Sequence, residues 1–263
     1  VAGTLFGPVL GGAIADAVGF QFPFIYTAIA ITIATIIIIF SVHEPEIIRK
    51  MKNSAFSRKN VVWAIFHHRV IFNVMIVATL IQIGNFSIQP LLSLYVSELT
   101  TSQEVALLAG ITFSAAGLGN IGFSRFFGKL SDEYGYEKIL KFLLIACVIF
   151  IIPQAFVTDL WQLMLLRFLY GTVSGGLIPI TAALIRRDAP IEIQGEIMGY
   201  NQSFRFFGNI IGPILGGFVA GVAGIHSVFY TTGALFFVSA IVIYITSRLP
   251  KQYMEDMLKE HIN

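Results

Sequence analysis

The chain has 263 residues, of which 56% are apolar and only 12% are Asp, Glu, Lys or Arg, with a mean hydropathy of +0.80. A soluble domain carries about twice that charged share, so the composition excludes a soluble fold and indicates an integral membrane protein. The net charge of +2 says little as a total, and the single cysteine, Cys147 in an apolar run, rules out a disulfide framework or metal cluster.

The first fourteen residues are apolar but cover only ~21 Å at about 1.5 Å per residue, too little to cross a bilayer. Apolar runs of membrane length follow at 22–42, 70–97, 105–127, 139–157, 161–184, 197–220 and 226–247. The expected fold is all-α: seven full transmembrane helices preceded by a truncated one. The chain opens on Val1 partway through a glycine motif, with no initiator Met, and reads as a fragment.

The longest polar connection is 43–69. Its second half, Asn60 to Arg69, mixes apolar and basic residues. That pattern predicts a short helix in the membrane interface, anchored by Trp63. His67 and His68 are adjacent, so they point in different directions on a helix, and no third ligand is near. No metal site is expected.

Fifteen of the seventeen Lys and Arg fall in alternate loops: 43–69, the connection around 125–141, Arg186 and Arg187, and the 248–263 tail. The opposite loops at 15–21, 98–104, 158–160 and 221–225 hold none, and carry Asp16, Glu98, Glu104 and Asp159. The basic side is therefore expected to be cytoplasmic, the C-terminus included. The two remaining basic residues, Arg167 and Arg205, lie inside spans, and no Asp or Glu lies inside any apolar run.

An internal repeat links the two ends. Residues 3–20 reappear as 208–225 without a gap, with eight of eighteen positions identical, five of them glycine. Gly3, Gly7, Pro8, Gly11 and Gly12 correspond to Gly208, Gly212, Pro213, Gly216 and Gly217. Glycines at i+4 lay a groove along one helix face and let another backbone approach closely, and the prolines permit a kink. A repeat at this interval indicates two halves of one architecture, as in many secondary transporters.

A second motif, Gly128-Lys129-Leu130-Ser131-Asp132-Glu133-Tyr134-Gly135, reads as a short turn between spans. Gly128 and Gly135 are expected to allow the reversal and Asp132 to cap a helix N-terminus. Gly-x-Leu-x-Asp-x-x-Gly between two spans resembles the loop signature of the major facilitator superfamily, in its weaker second-half copy. Glu133 stands where a basic residue is usual. The glycine–proline repeat resembles the family's antiporter signature, with its echo in span eleven. The resemblance covers essentially the whole chain and numbers its elements from the end of span five to span twelve. It implies a major facilitator helical bundle: 1–42 as the end of the N-terminal bundle, 43–69 as the central loop, 70–247 as a complete C-terminal six-helix bundle, and 248–263 as a tail. Within the family, Tyr200 to Pro213 and Ser87 to Leu99 are similar to exporters of the MdtG type, which implies drug efflux driven by inward proton flow.

Polar residues inside the spans are the candidate site. Asn201, Arg205 and Asn209 recur at i, i+4 and i+8, with Gln202 beside them. A charge at that depth is costly and should face the bundle interior or a wet cavity. Gln82, Asn85 and Gln89 make a polar stripe ahead of Pro90, also expected to face the cavity. Arg167, followed by Gly171 and Gly175, resembles the embedded Arg of the span-four signature in its second-half position, which implies a link to proton transfer.

There is no phosphate-binding loop, no zinc motif and no Ser/His/Asp constellation. The chain is therefore expected to be no enzyme and to need no cofactor and no nucleic acid. Its expected partners are the lipid bilayer, protons and a small amphipathic or polar drug, in a multi-pass plasma-membrane protein that is monomeric at full length. The alternatives are an exporter of sugars or other metabolites in the same superfamily, or a non-transporting remnant.

Overall fold

A computed structural model of the chain describes residues 2–19, 21–41, 57–102 and 104–248. Eleven α-helices run through them: α1 (Ala2–Val18), α2 (Gln21–Ser41), α3 (Arg58–His67), α4 (Arg69–Ile88), α5 (Leu92–Leu99), α6 (Val105–Tyr134), α7 (Tyr136–Ile151), α8 (Leu160–Ser174), α9 (Leu177–Asp188), α10 (Gln194–Ala223) and α11 (His226–Thr246). Seven helical segments are long and apolar enough to cross a membrane, and α1 adds a shorter apolar helix. The segments are Gln21–Ser41, Arg69–Leu99, Val105–Tyr134, Tyr136–Phe156, Leu160–Asp188, Ile191–Ala223 and His226–Thr246. The expected seven spans and one stub are thus present. Four of the seven spans are compound: Tyr136–Phe156 ends in a 3₁₀ turn from Ile152, Ile191–Ala223 begins with one at Ile191–Ile193, and two others each join two α-helices. A 3₁₀ turn at Gln89–Leu91, containing Pro90, joins α4 to α5, and Gly175-Gly176 separates α8 from α9.

The core lies among α4, α7, α8, α9 and α11, with Met75, Ile81, Leu140, Leu144 and Phe236 fully buried. α2 buries none of its described residues. α3 docks through Val61, Ala64 and Ile65 and leaves Phe66 exposed, while Trp63 stacks on His67 at 4.2 Å between ring centroids. The basic segment ahead of it, from 42 to 56, and the tail beyond 248 lie outside the described residues.

Glycine sets the closest helix pairs. α10 lies along α4: a Cβ on Gly208 would stand 2.7 Å from the Thr79 carbonyl oxygen, and one on Gly212 would stand 2.7 Å from Phe86 Cβ and 2.9 Å from the Ile83 oxygen. On Gly216 it would overlap the Ser87 carbonyl. α8 meets α6 the same way, through Gly171 on Ala116 and Gly119 on Phe168. α1 packs on α6, with Gly12 against the Ala106 carbonyl and Gly110 against that of Pro8. The Asp16 carboxylate accepts the Leu107 N–H at 2.7 Å, satisfying an orphan donor at the start of α6.

The two repeat copies use different residues for this. In α10 the glycines at i+4 face α4, and Gly217 meets nothing within 4 Å among the described residues. In α1 it is Gly12, the equivalent of Gly217, that is pressed against a backbone, while Gly7 and Gly11 meet nothing within 4 Å among the described residues.

The loop motif departs from expectation. Gly128 and Asp132 are not in a turn: α6 continues through both to Tyr134. The reversal is made by Gly135 alone, at φ +96°, which L side chains rarely adopt. Asp132 caps no helix; its carboxylate accepts the Tyr136 hydroxyl at 2.6 Å. A glycine within a span does not end a helix whose neighbours hold it by packing.

Candidate functional site

Three helices bring the polar side chains of the spans together. Gln82, 6% exposed on α4, donates its amide to Asn209 Oδ1 on α10 at 2.9 Å. Three residues on, Asn85 Oδ1 accepts the hydroxyl of Tyr170 from α8. Thr79, one turn before Gln82, donates to the Met75 carbonyl at 2.9 Å and reaches the Phe204 carbonyl of α10 at 3.2 Å. All but the Thr79–Met75 bond cross helices inside an apolar bundle, where an unpaired polar group is costly.

The cations are less satisfied. Arg205 donates through Nη1 to Gln202 Oε1 at 2.9 Å, and its Nε has no partner among the described residues. Asn201, 2% exposed, leaves its Oδ1 without one. Arg167 is 6% exposed, and neither its Nε nor its Nη2 has a hydrogen-bond partner among the described residues. A guanidinium always carries its charge and offers five N–H donors, so this position is suited to an anionic or strongly accepting group.

The predicted residues are therefore distributed in a way that spacing alone did not give. Arg205 is bonded to Gln202 rather than to Asn201 or Asn209, and Asn209 is engaged by α4. The stripe Gln82, Asn85, Gln89 does not present one polar face: the first two are committed to α10 and α8, and Gln89 is exposed on the 3₁₀ turn. Sequence reasoning missed Tyr170, whose hydroxyl ties α8 to α4 and whose ring lies 6.1 Å from that of Phe236. It also missed Gln154, fully buried, whose carbonyl accepts the Tyr95 hydroxyl at 2.7 Å. Tyr170 had one signal, its place three residues after a buried Arg.

No group of three or more His, Cys, Asp or Glu that could hold a metal occurs among the described residues. Seven apolar spans, glycine-mediated helix pairing and polar side chains inside the spans describe a multi-pass helical membrane bundle.

The chain belongs to the major facilitator superfamily, whose sequence model matches residues 1–158 and 141–256. It is 46% identical to the uncharacterized MFS-type transporter YuxJ of Bacillus subtilis (strain 168) over 252 residues, 95% of this chain and 64% of the relative. It is 34% identical to the multidrug resistance protein MdtG of Proteus mirabilis over 253 residues, 96% of this chain and 63% of the relative. The MdtG of Dickeya zeae is 33% identical over 249 residues, covering 94% and 61%. The chain thus spans less than two thirds of the length of the relatives it matches.

Proposed function

We propose that the complete protein is a secondary active transporter that expels small amphipathic or polar drugs in exchange for protons. The observation that carries this reading is the set of polar side chains inside the spans of α4, α8 and α10: Gln82 bonded to Asn209, Asn85 to Tyr170, Arg205 to Gln202, and Arg167 buried with Nε and Nη2 unpartnered among the described residues. Intramembrane ionisable groups of this kind mark substrate or proton pathways. The names of the MdtG relatives point to multidrug resistance. Gln82, Asn85, Gln89, Asn201, Gln202 and Asn209 contribute the polar contacts of one cavity wall. Arg167 and Arg205 bias the site toward an anionic or polar group on the substrate, or take part in coupling.

The apolar runs of this chain contain no Asp or Glu. The proton-carrying carboxylate is therefore assigned to the part of the longer relatives that this sequence does not span. The protein is a monomer in the plasma membrane, with the basic loops and C-terminus facing the cytoplasm.

The test is efflux from everted vesicles containing the complete gene product. A fluorescent cationic dye and a polar anionic drug are assayed in parallel, with and without collapse of the proton gradient. Gradient-dependent movement of either compound supports the reading. Movement that persists after collapse removes proton coupling, and movement of neither compound favours a metabolite exporter.

A further inference from the structure

Where α7 begins and α9 ends, the bundle forms an open groove of about 600 Å³. Its lining is Tyr136, Pro179, Ala182, Ala183, Arg186 and Arg187. Four of these, at 179, 182, 183 and 186, recur at i, i+3, i+4 and i+7, so they share one face of α9. The groove therefore runs roughly 10 Å along the helix, at 1.5 Å per residue, from an apolar floor to a basic mouth.

The charges at the mouth are unequal. Arg187 is neutralised twice, by Glu137 at 2.8 Å and by Asp188 at 2.7 Å. The Glu137 contact ties the start of α7 to the end of α9. Tyr136 is fixed by its hydroxyl bond to Asp132 of the loop motif. Arg186 is exposed, and its guanidinium has no ion pair or hydrogen bond among the described residues. A free fork of donors thus stands over an apolar channel at a helix end, where a membrane interface would lie.

We infer that this groove binds an anionic phospholipid, with its phosphate at Arg186 and an acyl chain along Pro179, Ala182 and Ala183. The amphipathic lining selects the occupant. A soluble anion would use the mouth and leave the apolar floor wet, whereas a lipid satisfies both. Basic pockets between membrane helices are suited to anionic headgroups for this reason. The loop motif then acts locally. Asp132 holds Tyr136, and Glu137 holds Arg187, so that Arg186 is left as the one uncommitted cation among the lining residues. The inference rests on the reading of these helices as membrane spans, not on drug export.

The experiment uses the complete gene product, purified and placed in nanodiscs of phosphatidylcholine with or without phosphatidylglycerol. Retained lipid is counted by native mass spectrometry, and thermal unfolding is followed in parallel. Wild type is expected to retain phosphatidylglycerol and to unfold at a higher temperature in its presence. Arg186→Gln should weaken retention about fivefold, the scale of one basic residue near an anionic surface, while Arg186→Lys should keep most of it. Ala183→Leu, which fills the floor, should expel the lipid while the charge remains. Arg125→Gln, at another basic position, should change nothing. Equal retention by wild type and Arg186→Gln overturns the proposal. So does displacement of the lipid by inorganic phosphate at equal concentration, which would assign the mouth to a soluble anion. A drug-efflux result of either sign leaves these outcomes unchanged.

Discussion

Tyr170 of α8 gives its hydroxyl proton to Asn85 Oδ1 of α4, and so joins the helix that carries Arg167 to the helix that carries Gln82. Both ends of the bond are inside the bundle. Tyr170→Phe should therefore leave the Asn85 oxygen unpaired and destabilise the protein by about 1–3 kcal/mol. Removing both partners with Tyr170→Phe and Asn85→Leu should cost less than the sum of the single changes. Thermal unfolding of the four proteins in detergent measures the cycle, and strict additivity would contradict the bond.

Glycine packing gives a sharper contrast. Gly212 sits against Phe86 and the Ile83 carbonyl, whereas Gly221, further along α10, meets nothing within 4 Å among the described residues. Gly212→Leu should reduce membrane expression and efflux of the complete protein severely, since overpacking costs about 1–3 kcal/mol even where the core can shift. Gly221→Leu should be close to wild type. Equal tolerance at both positions would contradict the α10–α4 contact.

Arg167 should separate stability from activity. Two of its donor nitrogens are buried without partners among the described residues. Arg167→Met should therefore keep the fold while losing transport, because an apolar side chain of similar length removes an unpaired charge. Expression with a retained unfolding temperature and lost efflux is the expected pair. Normal efflux would assign Arg167 a purely structural place.

Arg205 differs in having a bonded partner in Gln202. Arg205→Lys should preserve folding and lose much of the transport, since an ammonium cannot reproduce the planar fork. Arg205→Ala should also lose transport. If export of the anionic drug fails first, Arg205 meets substrate; if both compounds fail together, it belongs to coupling. Normal transport of both by Arg205→Ala would remove span eleven from the site.

Topology is tested by single cysteines. Positions 98–104 and 158–160 should react with an impermeant reagent from outside intact cells, and positions 138 and 187 should not. Labelling of 138 from outside would overturn the orientation.

Much of the architecture was legible because membrane physics writes it into composition. Length and apolarity give the spans directly, whereas the i+4 glycine groove read from the repeat is made by Gly208, Gly212 and Gly216 but not by Gly7 and Gly11, where Gly12 makes the contact instead. The candidate site was legible only as an inventory. Asn85 and Tyr170 are 85 positions apart, and nothing local to either says that they meet. The spacing of Asn201, Arg205 and Asn209 correctly places them on one helix. Their roles diverge because Asn209 is captured by Gln82 and Arg205 by Gln202. The loop motif misled for a related reason: Gly128 permits a turn but does not require one, and only Gly135 takes a backbone conformation that demands glycine.

The repeat has a consequence for how the sequence tolerates change. Consecutive residues on a helix point about 100° apart, so the pair Gly11-Gly12, like Gly216-Gly217, faces two directions at once. α1 uses the second direction and α10 the first. Each copy is thus gripped along one direction only, and the direction differs between the two. A bulky residue at Gly12 would jam a contact that one at Gly217 would leave untouched, although the two occupy the same place in the repeat.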